Sequence, residues 1–142
     1  MAPTQTKKSP FTKSNDFLFD PAIIPDHLQQ VLPPGHFVRP LSRSDNQLRH
    51  NTSFLKTLEV LTVVGDIEPV KFEERFQYLQ KHNDQYFTIV IEDMNAPTSS
   101  PNQDVLELVP PGRGKIVAAG TVLIERKFIR GLGLVGHIED IA

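Results

Sequence analysis

Apolar residues along the 142-residue chain fall into blocks of different period. Leu55, Leu58 and Leu61, joined by Phe54, recur at helical spacing, which predicts a core-facing helix over about residues 48–64, ended by Gly65. Pro69 can open a second helix whose apolar face is Phe72, Phe76 and Leu79 and which should stop near Asn83. "YFTIVIED" and "KIVAAGTVLIERKF" are β-branched and aromatic runs, and both predict strands buried on at least one face. "HFVRPLS" predicts a first strand, "RSDN" after it a turn and helix cap, and a last strand begins near Leu134. The order β-α-α-β-β-β, without internal repeat, is that of one α+β unit.

Three segments break this pattern. Residues 1–16 are polar and too poor in large side chains to repay ordering entropy, so they read as a flexible tail. Residues 17–36 carry Phe17, Leu18, Phe19, Ile23, Ile24 and Leu28 between prolines that forbid a long helix, which predicts a strap with a short helical turn packed over the domain. Residues 94–114 are long, rich in Pro, Ser and Asn, and read as a mobile loop.

Composition narrows the chemistry. Apolar residues make up 39% and the formal net charge is -2, so no basic field exists to attract nucleic acid or an anionic membrane. Cysteine is absent, which removes disulfides, thiolate metal sites and a thiol nucleophile together. His27, His36, His50, His82 and His137 show no ligand spacing, so no metal site is expected. With no signal-like stretch and no long apolar run, a cytoplasmic location without membrane insertion is expected. Gly131-x-Gly133-x-x-Gly136 satisfies the spacing of a dinucleotide loop, but strand-like "HIEDIA" follows where a helix would be needed. Gly131 and Gly133 are therefore expected to supply positive φ in a hairpin connection.

The acids and bases near the C-terminus remain to be explained. Strand alternation places His137, Glu139 and Ile141 on one face and Ile138, Asp140 and Ala142 on the other. Glu139 and Asp140 can then act together only if a bulge re-aims one of them; otherwise one is solvated and the other bridges to a base. Arg126, Lys127 and Arg130 close the preceding strand and its turn. They form either a solvated basic turn or, with the acids, a grip for a ligand with anionic and cationic ends.

"LEVLTVVGDIEPVKF" together with "AAGTVLIERKFIRGLGLVGHIEDIA" resembles the fungal glucosamine 6-phosphate N-acetyltransferases of the GNAT superfamily, over Phe37 to Ala142 with an interruption after Met94. The resemblance implies a GNAT fold, a mainly antiparallel sheet with flanking helices. It implies acetyl transfer from acetyl-CoA, a co-substrate rather than a tightly bound cofactor, to the 2-amino group of glucosamine 6-phosphate, on the way to UDP-N-acetylglucosamine. It also implies a homodimer with acceptor sites near the subunit boundary.

The family's sugar-phosphate contacts map onto Thr62, onto Lys127, Phe128, Ile129 and Arg130, and onto Glu139, Asp140 and Ile141. Lys127 and Arg130 would meet the phosphate, Asp140 would orient the amine or hydroxyls, and Glu139 would act through its backbone, these two acids being the catalytic candidates. Backbone groups of Ile141 and Ala142 would begin the acetyl-CoA site. Thr62 continues the register of Leu55 and Leu58, so a hydroxyl stands where a core helix would prefer Leu, either for a ligand or satisfied by a backbone carbonyl. In the family a Gly-rich loop that opens a helix and holds the CoA pyrophosphate follows "HIEDIA", then a tyrosine that protonates the departing thiolate. Neither is present here, so the resemblance implies an N-terminal portion, incomplete at its C-terminus and inactive alone. Two alternatives stand beside this: a GNAT transferase for another small amine, and a non-enzymatic sugar-phosphate-binding fragment.

Overall fold

In the computed structural model, residues 8–95 and 114–142 are described. Four antiparallel strands form one sheet in the order β1 (His36–Pro40), β2 (Tyr86–Asp93), β3 (Lys115–Arg126) and β4 (Leu134–Glu139). Short helices α1 (Asp26–Gln30) and α2 (Phe54–Leu58) and the longer α3 (Pro69–Lys81) complete the framework, with 3-10 turns at Pro21–Ile23 and Arg43–Asn46. Most of the 94–114 insertion lies outside the described residues. No helix among the described residues is long and apolar enough to cross a membrane.

Each start is set by local chemistry. Asp20 accepts from Ala22 N at 2.9 Å and Ser53 from Lys56 N at 3.1 Å, and Pro69 occupies the first turn of α3, where its missing N–H costs nothing. Helix α3 then buries Phe72 and Phe76 against Leu18, Phe19, Leu41, Val90, Ile116 and Ala119. Phe19 meets Phe87 edge-on at 5.2 Å, and Gln80 ties α3 to the strap by donating to the carbonyls of Asn15 and Phe17 at 2.9 and 3.0 Å. Phe11, in the stretch read as a tail, packs edge-on against Phe17 and Phe37 at 5.9 and 6.3 Å. One aromatic ring with two partners ties the described part of that stretch to the domain.

The helix expected over 48–64 is corrected to the five residues of α2. His50 and Asn51 hold φ of 52° and 62° before it, and Val60 and Val63 beyond it are 76% and 90% exposed. Leu55 and Leu58 exhaust the available core, and the β-branched run at Val60, Thr62, Val63 and Val64 gains nothing from continuing a helix it intrinsically disfavours.

The sheet's outer end is tied by side chains. Buried Gln29 donates to His36 O at 2.8 Å and accepts from Val38 N at 3.1 Å, a substitute strand along β1. Arg39, fully buried, donates to Glu92 (2.8 Å) and bidentately to Asp45 (2.7 and 2.9 Å). Burial disfavours the Arg39 charge, but hydrogen bonds and attraction from Asp45 and Glu92 outweigh it and hold the guanidinium above its ordinary range. Glu92 also accepts from Gly114 N at 2.8 Å, which fixes where β3 begins.

Candidate functional site

The candidate residues lie along β3, β4 and their connection. That hairpin closes with Lys127 N donating to Gly133 O at 2.8 Å and Gly133 N to Ile129 O at 3.1 Å. Arg130, Gly131 and Leu132 adopt φ of 54°, 63° and 63°, three consecutive left-handed residues. Gly133, expected to share the positive φ, has φ of −65° instead. Two non-glycine residues therefore carry a conformation that costs about 1–2 kcal/mol each, while Phe128 and Ile129 stand 92% and 68% exposed at the tip.

At the far end of β4 the ladder is interrupted. Glu139 pairs with Thr121, and pairing resumes at Ala142, which exchanges both backbone bonds with Ala119 at 2.9 and 3.0 Å. Two residues just beyond β4, Asp140 and Ile141, thus oppose Gly120 alone: a β-bulge with Asp140 in the left-handed region at φ 51°. Aspartate tolerates this conformation better than most side chains. The N–H groups of Asp140 and Ile141 make no backbone bond among the described residues.

The bulge corrects simple alternation. Ala142 shares a face with Ala119 and Thr121, hence with Glu139 and His137, whereas Ile141 crosses to the other face and lies on Gly120. Ala142, expected to offer backbone groups to acetyl-CoA, spends its N–H and C=O on Ala119. The uncommitted donors belong to Asp140 and Ile141.

Along the same face runs a row of polar groups. Thr88 and Thr121 hydroxyls meet at 2.9 Å, next to Glu139. Further along, Glu125 bonds Lys127 Nζ at 2.7 Å through one oxygen and His137 Nε2 at 2.8 Å through the other. These partners, Lys127 foremost, hold the Glu125 carboxyl below the usual range. Arg126 turns to Asp84 at 3.2 Å, which leaves Arg130 the cation of this turn without a partner among the described residues.

The structure does not gather all the predicted residues. Thr121, opposite Glu139, lies six residues before Lys127 on β3, roughly 20 Å of extended strand. One sugar phosphate cannot span the basic turn and the acidic bulge of a single chain. Thr62 is exposed in the loop after α2, off any helix, where it lines a shallow recess with Glu59, Val63, Val64, Gly65 and Asp66. Its expected helical register is therefore overturned, because α2 stops at Leu58. Glu125 and Thr121 escaped the sequence reading, for only register reveals that they face His137 and Glu139.

Comparison with known proteins returns one consistent set of relatives. A glucosamine 6-phosphate N-acetyltransferase of Arabidopsis thaliana is 33% identical over 104 residues, 73% of this chain and 56% of the relative. The chain is homologous to the glucosamine 6-phosphate N-acetyltransferases. Relatives of the same name in Candida albicans and Dictyostelium discoideum are each 31% identical, over 79% and 80% of this chain and 60% and 59% of their own length. The crystal structure of the Arabidopsis glucosamine-6-phosphate N-acetyltransferase superposes with a TM-score of 0.56 at 32% identity, covering 75% of this chain and 58% of that one. A Trypanosoma brucei acetyltransferase structure, at 24% identity and a TM-score of 0.51, supports the fold with the same coverage. No family model matches. The chain thus has the GNAT acetyltransferase fold over the matched stretch and spans about 56–60% of the length of these relatives.

Proposed function

We propose that this chain carries the acceptor-sugar part of a glucosamine 6-phosphate N-acetyltransferase. The amine of glucosamine 6-phosphate would attack the acetyl thioester of acetyl-CoA, giving N-acetylglucosamine 6-phosphate and CoA. The observation that best supports the reading is the bulge, where two adjacent N–H groups leave the ladder beside Glu139. Donors of this kind stabilise the oxyanion that forms on attack, commonly by about 2.7–4 kcal/mol each. Asp140 would hold the amine or hydroxyls, and Ile141 would frame the sugar from the bulge.

The roughly 20 Å between bulge and basic turn favours a homodimer, in which Lys127 and Arg130 of one copy meet the phosphate of a sugar seated at the bulge of the other. Thr62, Phe128 and Ile129 are exposed, as contributors to a shared boundary need to be before it closes. On the resemblance, the acetyl-CoA pyrophosphate loop belongs to the portion of the relatives that this chain does not match. Joining the corresponding segment of the Arabidopsis relative after Ala142 and assaying acetyl-CoA turnover tests the reading. Acetylation of glucosamine 6-phosphate in preference to glucosamine supports it; equal rates on other small amines favour a broader amine transferase, and no turnover with intact sugar-phosphate binding favours a binding fragment.

A further inference from the structure

Glu125 and His137 form a pair that the proposed sugar contacts do not use. They sit diagonally across the β3–β4 ladder, Glu125 opposite Val135 and His137 opposite Leu123, so both side chains project from one face. An ionised carboxylate only accepts, so the 2.8 Å contact requires His137 Nε2 to donate. The imidazole therefore carries a proton at Nε2, and in the neutral ring Nδ1 keeps its lone pair, with no partner for it among the described residues. His137 is two residues from Glu139 on the same face, about 7 Å along the strand. The side chain is 42% exposed, open to a ligand from the sheet's surface.

We infer that His137, oriented by Glu125, is the proton acceptor for the ammonium group of the acceptor sugar. The inference rests on the acceptor-site reading above. At neutral pH a hexosamine amine is largely protonated and has no lone pair with which to attack. Nδ1 takes one proton; the broken N–H bond leaves its electron pair on the sugar nitrogen, and the imidazolium pairs with Glu125 until the proton passes to water. A carboxylate that orients an imidazole and steadies its cation is the arrangement that makes histidine an effective base. Among the described residues, the charged or titratable groups around it are these. Glu125 faces His137 from β3 and holds Lys127 from just beyond that strand, Glu139 lies beside it on β4, and Tyr86 stands in the same cross-strand row on β2, separated by Leu123. Arg126 lies on the opposite face with Asp84.

The test is a nitrogen-15 titration of the His137 ring in the 142-residue chain, with glucosamine 6-phosphate and, separately, with glucose 6-phosphate. The free chain should show the Nε2-protonated form. The amino sugar, which places a cation at Nδ1, should lower the His137 midpoint by about one unit relative to the hydroxyl sugar. Equal midpoints with both ligands bound would overturn the inference and leave the acceptor-site reading standing; failure of both to bind would overturn the two together. His137→Gln keeps an N–H donor for Glu125 and removes the base. It should reduce the preference for glucosamine 6-phosphate over glucose 6-phosphate about tenfold, whereas equal loss of both ligands would make His137 a structural residue only.

Discussion

Ile141 lies directly on Gly120: a β-carbon at that glycine would come within 2.7 Å of the Ile141 δ1 methyl. The Ile141 side chain can lie over its partner strand here because the opposing residue has no side chain. Gly120→Ala should cost little stability, since the tip of an isoleucine can rotate away, but it should displace Ile141 and weaken sugar binding. Gly120→Val adds branching against a settled strand and should cost about 1–3 kcal/mol. Urea denaturation and ligand titration of both variants separate the effects. Unchanged binding in both would detach the bulge from the site.

Asp140 and Arg130 each hold a left-handed backbone, at φ 51° and 54°. Glycine relieves that strain, so Asp140→Gly and Arg130→Gly should be as stable as the parent or more so, by up to about 1 kcal/mol. Asp140→Ala should be the less stable of the two changes at its site. Function should move the other way, because Arg130→Gly deletes a cation proposed for phosphate binding, where charged hydrogen bonds are worth roughly 1.5–3 kcal/mol. A variant that gains stability and keeps full discrimination for the phosphate would remove Arg130 from the site.

Arg39, Asp45 and Glu92 form a buried ionic network that joins β1, β2 and the start of β3. Arg39→Met would leave two buried carboxylates uncompensated and should destabilise the fold by about 3–5 kcal/mol. A loss below about 1 kcal/mol in chemical denaturation would show that the network is not closed in solution.

Glu125 titrates below the ordinary carboxylate range because Lys127 and His137 hold its charged form. A depressed folded-state value contributes stability that is present above the unfolded value and lost as pH falls through the folded one. Amide exchange in the β3–β4 hairpin should therefore accelerate as pH drops below the usual glutamate range, after correction for intrinsic rates. Glu125→Gln should flatten that dependence. A profile shared by both proteins would place the acid sensitivity elsewhere.

The strands were legible because their residues alternate over a core: "YFTIVIED" becomes β2 from Tyr86 to Asp93. Pro69, Phe72 and Phe76 likewise announce α3. The leucines from Leu55 to Leu61 mislead, since spacing cannot say where buried surface runs out. The bulge was conceivable from adjacent acids but not readable, because it depends on which residue of β3 each group opposes. The Glu125–His137 pair is hidden for the same reason, two residues twelve apart brought together by a turn whose left-handed positions fall on Arg130 and Leu132 as well as on glycine.

On the proposed function, the chain recognises an amino sugar by its phosphate as well as by its amine. Calorimetric titration of the 142-residue chain with glucosamine 6-phosphate and with glucosamine, with the proposed dimer followed by sedimentation in the same samples, tests it most directly. Two cations on a phosphate predict at least about tenfold tighter binding of glucosamine 6-phosphate, reduced by salt. Equal affinity for the two sugars, or no binding of either by the dimer, would contradict the account.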